Sequence, residues 1–146
     1  ESWMRPAGQP DAGEFRVWAT DEEPPSHSIP SAVAVKAAGR QGAAAFTRYH
    51  RAIMHAYFAR NLNVSSRGTI DLVARECDLD MEAFTRDLAD ASIAEQVIAE
   101  HNEAVELGIS GVPCVVLEGG FTLPGAQERA VYRNIVQRLL SHQGAS

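Results

Sequence analysis

The chain has 146 residues, a length that suffices for one hydrophobic core. It carries 13 lysines and arginines against 19 aspartates and glutamates, a formal net charge of −6. This acidic balance argues against a general nucleic-acid surface, and no apolar run is long enough to cross a membrane. The two cysteines, Cys77 and Cys114, lie far apart and do not make a disulfide framework. The composition therefore favours a compact domain with small soluble partners.

The first 25 residues are rich in proline, glycine and acidic residues, a composition typical of loops. The run Phe-Arg-Val-Trp at 15–18 is a short strand candidate within them. Helical patterns follow from about residue 28. Ser28 is the candidate N-cap of the first helix, Ser65 or Ser66 that of the third, and Asp80 that of the fourth.

The second and fifth helices carry further signals. The second is predicted over residues 43–60, because its apolar residues recur every three or four positions and so share one face. These residues are Phe46, Tyr49, Ile53 and Tyr57. The fifth is predicted over residues 92–107, where Ser92 and Glu95 fit a capping box. Several helices in succession indicate a helical subdomain.

The region that follows combines a bend, two short strands and a helix. Glycine suits the left-handed end of a helix, and β-branched runs bounded by glycines favour a hairpin. The predicted order is a helix stop at Gly108, a bend at 111–113, a strand at 115–117, a turn at 118–120, a strand at 121–123, a break at Pro124 and Gly125, and a last helix from Ala126.

That order, with Gly-Val-Pro at 111–113, resembles the C-terminal half of the thioredoxin fold in DsbA-like and FrnE-like thiol-disulfide oxidoreductases. The resemblance covers about residues 25–140, with further similar pieces at 26–32, 37–42, 55–58, 79–84 and 124–127. It implies an α/β protein: an incomplete thioredoxin-like fold, consisting of the C-terminal strand-hairpin-helix half, with an inserted α-helical subdomain. The implied bounds are 1–25 for the end of the N-terminal half and a loop, 26–108 for the helical insertion, and 109–146 for the C-terminal half.

The resemblance also implies a site for substrate. The peptide bond before Pro113 is expected to be cis, and Val112 is expected to present its main-chain N–H and C=O to an extended peptide or thiol. Gly111 belongs to the same bend, and Gln127, near the positive end of the last helix, is a further candidate contact. Cys114 is a candidate accessory thiol, with an inert core position as the alternative. The spacing of the histidines predicts no metal site.

The chain departs from the family at one decisive place, because it contains no Cys-X-X-Cys motif. In the family this motif starts a helix, whose dipole lowers the thiol pKa and makes a nucleophilic thiolate available. No catalytic residue is therefore assigned in this chain, which is expected to be inactive alone. Residues 1–6 have the pattern of a strand's end, so we expect a C-terminal fragment, a processed form or a homologue without the redox half. The sheet should then need a complementing N-terminal segment or a swapped copy in a homodimer.

Three functions stay open at this point. In the first, the intact protein is a thiol-disulfide oxidoreductase acting on a protein disulfide, and this chain is its substrate-binding half. In the second, it is a glutathione-dependent enzyme of the kappa transferase or 2-hydroxychromene-2-carboxylate isomerase type, using glutathione or another low-molecular-weight thiol. In the third, it is a non-catalytic peptide-binding module. No other cofactor, no nucleic acid and no membrane is expected, and the expected location is the cytoplasm.

Overall fold

The computed structural model describes Gly8 and residues 13–117 and 120–143. The chain divides into two compact units, Glu1–Ala99 and Glu100–Ser146. In chain order the described elements are α1 (Ile29–Gly39), α2 (Ala43–Phe58), α3 (Arg67–Glu76), α4 (Met81–Leu88), α5 (Ala91–Glu106), β1 (Cys114–Val116), β2 (Thr122–Pro124) and α6 (Arg129–Gln143). Among these described helices, none combines the length and the apolar character needed to span a bilayer.

The core of the first unit is built around α2. Tyr49 and Ile53 of α2 are buried as predicted, whereas Phe46, on the same predicted face, is 40% exposed. The Tyr49 ring lies 5.5 Å from the ring of Phe84 on α4, and both side chains are fully buried. The Tyr49 hydroxyl donates to the carbonyl oxygen of Ile70 at 3.2 Å. Burial raises the pKa of Tyr49, so its hydroxyl stays a hydrogen-bond donor.

Two of the predicted helix caps are confirmed. The Asp80 carboxylate accepts hydrogen bonds from the amides of Glu82 and Ala83 at the start of α4. The Ser66 hydroxyl accepts from the amide of Thr69 at the start of α3. Each satisfies amide donors that lack a partner within the first helical turn.

Two other cap predictions need correction. Ser28 does occupy the N-cap position of α1, but its side chain makes no capping bond. Its carbonyl oxygen instead accepts a hydrogen bond from the Ser31 hydroxyl at 2.9 Å. The capping box predicted at Ser92 is wrong, because α5 already begins at Ala91. The Asp90 carboxylate accepts from the Ser92 amide at 2.9 Å, so the acceptor lies two residues earlier than predicted.

The strand predicted at 15–18 is not formed in the described residues. The amide of Arg16 donates to the carbonyl oxygen of Phe58 at 2.8 Å, and the Asn61 amide group donates to the carbonyl oxygen of Arg16 at 3.3 Å. The Phe15 ring stacks on that of Phe58 at 5.2 Å. The segment is therefore bonded to the end of α2 and to Asn61, and these bonds replace a strand ladder.

The second unit contains the predicted hairpin. β1 and β2 are antiparallel, and Val115 pairs with Leu123 at the centre. The predicted turn residues 118 and 119 lie outside the described residues, while the amide of Leu117 donates to the carbonyl oxygen of Phe121 at 2.8 Å. Gly108 has a φ of +75°, which confirms the predicted left-handed helix stop. The described part of the chain gives this sheet two strands.

The last helix begins later than predicted, at Arg129 instead of Ala126. The side-chain amide of Gln127 donates to the carbonyl oxygen of Pro124 at 2.8 Å, and the main-chain amide of Gln127 donates to the Tyr132 hydroxyl at 3.2 Å. These bonds hold the preceding residues outside the helix. Pro124 itself is the last residue of β2 and does not interrupt the strand.

Candidate functional site

The bend ahead of β1 is exposed to solvent. The peptide bond between Val112 and Pro113 is cis, as the resemblance implied, and Val112 is 93% exposed. Within the described residues, neither the N–H nor the C=O of Val112 makes a hydrogen bond. A Cβ atom added at Gly111 would meet nothing within 4 Å, so the approach to this main chain is open.

A groove of about 330 Å³ lies along this bend. Its lining contains glycines, apolar residues, two hydroxyl groups and one thiol, and among the described residues that line it there is no histidine and no carboxylate. The lining residues are Gly108, Ile109, Ser110, Gly111, Val112, Pro113, Cys114, Thr122, Pro124 and Gly125. Since the described residues that line it include no general base, they are suited to binding a ligand.

The register of the hairpin determines which strand edge can accept a partner. The carbonyl oxygen of Pro113 accepts from the amide of Gly125 at 2.8 Å, so these two residues form a hydrogen-bonded pair. The next pair, Cys114 with Pro124, is then non-hydrogen-bonded, and its main-chain groups point away from the hairpin. On β1 these groups belong to Cys114 and Val116, which are unpaired in the described part of the chain.

The outer edge of β2 is different because it carries Pro124. Proline has no N–H, and at a non-hydrogen-bonded position the missing donor belongs to the outer edge. A proline at an edge is one way in which proteins prevent strand addition. The sequence predicts Pro124 only as a strand breaker, because the register that gives its outward direction is not visible in the sequence.

The structure separates the two cysteines by environment. Cys77 is 3% exposed at the end of α3, and burial raises the pKa of its thiol, so a thiolate is disfavoured there. Its carbonyl oxygen accepts a hydrogen bond from the Arg48 guanidinium at 2.8 Å. Cys114 is half-buried, lines the groove and forms no disulfide with Cys77. In the described residues no cluster of three or more His, Cys, Asp or Glu could hold a metal ion.

Gln127 lies beside the groove but does not line it. Its side-chain amide is used in the bond to Pro124, which fixes the end of β2. The structure thus brings together Gly111, Val112, Pro113 and Cys114 at the groove. Gln127 instead holds Pro124 in place through its side-chain hydrogen bond. Direct contact of Gln127 with a ligand stays a prediction.

Comparison with known proteins identifies the class of this fold and groove. The chain belongs to the family of DSBA-like thioredoxin domains, whose match covers residues 20–137. The predicted family and the predicted α/β thioredoxin-like fold with a helical insertion are confirmed.

Three curated relatives share the name ClpXP adapter protein SpxH. The protein from Bacillus subtilis (strain 168) is 25% identical over 98% of this chain and 50% of its own length. That from Shouchella clausii (strain KSM-K16) is 25% identical over 78% of this chain and 40% of its own length. That from Halalkalibacterium halodurans is 27% identical over 91% of this chain and 44% of its own length. The chain therefore spans half or less of the relatives that it matches.

Proposed function

We propose that the protein is a DsbA-like thiol-disulfide oxidoreductase and that this chain supplies its substrate-binding portion. The observation that carries the proposal is the exposed, unbonded main chain of Val112, beside a groove in a chain of this family. A free N–H and a free C=O on one exposed residue can pair with the backbone of an extended segment, whatever its side chains. This suits an enzyme whose substrates share a disulfide more than a sequence.

The edge of β1 and the main chain of Val112 are proposed to have different partners. The outward groups of Cys114 and Val116 would pair with a strand from the rest of the protein, because a two-stranded hairpin is only marginally stable in water. Val112, which precedes the strand, would then remain at the end of the completed sheet for the substrate. In this arrangement the substrate would bind next to the strand that completes the sheet.

The chemistry is proposed to come from a Cys-X-X-Cys pair in the part of the protein outside these residues. Its thiolate attacks one sulfur of the substrate disulfide, forms a mixed disulfide and releases the other substrate sulfur as a thiolate. The second cysteine of the pair then attacks the mixed disulfide. The substrate leaves as a dithiol and the enzyme holds a disulfide, and the reverse sequence oxidises a substrate. During these steps Val112 would hold the substrate chain by its backbone.

Insulin reduction separates this proposal from the alternative that the two cysteines of the present chain carry out the chemistry. We expect the intact protein to reduce insulin disulfides and the present chain alone to be inactive, since its buried Cys77 and its half-buried Cys114 are not paired. Activity of the present chain that requires both cysteines would show that the chemistry lies here instead. The free state of both cysteines also supports our proposal of a cytoplasmic location, where thiols stay reduced.

A second candidate function is a non-catalytic protein-binding adapter. The names of the curated relatives favour it, and so does a groove whose described lining residues include one thiol and no acid or base. In that case the intact protein would bind a partner polypeptide through Val112 but would not reduce insulin. Insulin reduction and partner binding, measured on one preparation, therefore distinguish the two functions.

A further inference from the structure

The helical unit contains an apolar pocket that the proposed function does not use. It has a volume of about 280 Å³ and lies between the start of α1 and the end of α2. Pro25, Ile53, Tyr57 and Phe58 contribute apolar walls, and the half-exposed Met54 also lines the pocket. The polar lining residues are His27, Ser28 and Ser31. A dry protein cavity of about 150 Å³ already accommodates benzene. This pocket is therefore large enough for one aromatic or leucine-sized side chain.

The aromatic side of the pocket is held in place by neighbouring rings. The Tyr57 and Phe58 ring centroids are 4.8 Å apart, and Phe58 stacks on Phe15 at 5.2 Å. Trp18 lies 5.9 Å from Tyr57 on the other side. Behind them Ile53 is 3% exposed and belongs to the core of the unit. The pocket is thus formed before any ligand arrives, which lowers the entropic cost of filling it.

Three consecutive acidic residues lie in the loop that leads into this pocket. Asp21, Glu22 and Glu23 are exposed, and Pro25, two residues after Glu23, is part of the wall. Two residues of chain span at most about 7 Å, so the Glu23 Cα is near the wall. The carbonyl oxygen of Glu22 accepts from the Trp18 indole at 3.1 Å, which fixes the loop against the aromatic cluster. None of the ion pairs between described residues involves these three carboxylates.

We propose that this pocket binds a basic segment of a partner polypeptide, which inserts one large apolar side chain and places lysines or arginines beside residues 21–23. The pocket selects the apolar anchor, and the carboxylates select the charge that flanks it. A small apolar molecule would use the pocket but not the carboxylates, and the carboxylates repel nucleic acid and acidic peptides. The pocket and the groove at Val112 have no lining residue in common.

An NMR titration of the isotope-labelled protein with the synthetic peptide Ac-Lys-Lys-Phe-Lys-Lys-NH2 tests the proposal. Amide shifts are expected in the ranges 27–31 and 53–58. Replacing phenylalanine by alanine in the peptide should weaken binding by about tenfold or more, because the anchor loses its buried area. Replacing the four lysines by serines should weaken it by about tenfold, and added salt should weaken the lysine peptide alone. Equal affinity of the lysine and serine peptides, or shifts elsewhere, would overturn the proposal.

Matched variants locate the site from the side of the protein. Met54→Lys adds a positive charge to the pocket lining and should abolish binding, whereas Leu72→Lys makes a similar change at a side chain that is 40% exposed and outside the pocket, and should not. Combined Asp21→Asn, Glu22→Gln and Glu23→Gln substitutions alter exposed loop residues and should remove the preference for lysine over serine peptides. If Met54→Lys and Leu72→Lys bind alike, or the neutralised loop keeps that preference, the proposal fails.

Discussion

The carbonyl oxygen of Pro113 accepts a hydrogen bond from the amide of Gly125, at 2.8 Å. This bond sets the alternation along the hairpin, and it turns the polar main-chain groups of Cys114 and Val116 toward the outer edge of β1. The same register puts Pro124 on the outer edge of β2, where its missing N–H discourages pairing. One edge of the described hairpin is therefore suited to accept a strand and the other is not.

Proline substitutions at directly opposed residues test this asymmetry. Val116→Pro removes an outward N–H from the open edge, whereas Thr122→Pro removes one from the edge that Pro124 already blocks. We expect Val116→Pro to lower the melting temperature of the intact protein much more than Thr122→Pro does, because only the first breaks a bond to an added strand. Thermal unfolding followed by circular dichroism makes the comparison, and equal losses would show that the edge of β1 is unused.

The buried Tyr49 hydroxyl provides a test of the helical core. Tyr49→Phe leaves the carbonyl oxygen of Ile70 without its side-chain donor, in a site where no water replaces it easily. We expect a loss of about 0.5–1.5 kcal/mol in the free energy of unfolding, because the Ile70 carbonyl oxygen lies within α3 and keeps its helical partner. Urea denaturation of both forms measures this loss. A change near zero would mean that the hydrogen bond from the Tyr49 hydroxyl adds no net stability to the core.

The Asp90 carboxylate at the start of α5 should make the stability of the protein depend on pH. Hydrogen bonds from Ser92 to the Asp90 carboxylate, with a smaller contribution from Arg40, lower the pKa of Asp90 below its ordinary value of 3.8. The folded state thus favours the ionised carboxylate, and its stabilisation is present above pH 3.8 and is lost as the pH falls through the lowered folded-state pKa. Asp90→Asn keeps an acceptor but has no charge to lose.

Urea denaturation of the wild type and Asp90→Asn should therefore show the larger difference at neutral pH and a shrinking difference in acid. Asp90→Ala, which lacks the acceptor as well, should be less stable than Asp90→Asn at every pH. A difference between the wild type and Asp90→Asn that grows as the pH falls would contradict the assignment of this cap.

Local signals predicted the parts of the fold that depend on a few neighbouring residues. Asp80 caps α4 as expected, because an acceptor ahead of two free amides needs nothing from the rest of the chain. Asp90 and Ser92 are both candidates to cap the start of α5. The sequence pattern alone favours Ser92, whereas the structure uses Asp90. Ile93 is 1% exposed, so the helix must begin early enough to turn this side chain into the core. That requirement depends on the packing of the whole core and cannot be read from the neighbouring residues.

The same limit explains the other differences. The run at 15–18 has the residues of a strand, yet Phe15 stacks on Phe58, a partner far along the chain. In the candidate site, the bend at Val112 was predicted by resemblance to a family, whereas the direction of each main-chain group follows from the register of β1 and β2. The sequence therefore predicts which residues form the site, but not which way their main-chain groups point.

The most direct test of the account is the effect of Val112→Pro on insulin reduction by the intact protein. The substitution removes the Val112 N–H, which makes no hydrogen bond in the described residues and is proposed to hold the substrate backbone. We predict a fall in kcat/KM of about tenfold, in line with the loss of one well-placed hydrogen bond, and a far smaller effect of Val112→Ala, which keeps the N–H. An unchanged kcat/KM in Val112→Pro would contradict the proposal that this main chain binds the substrate.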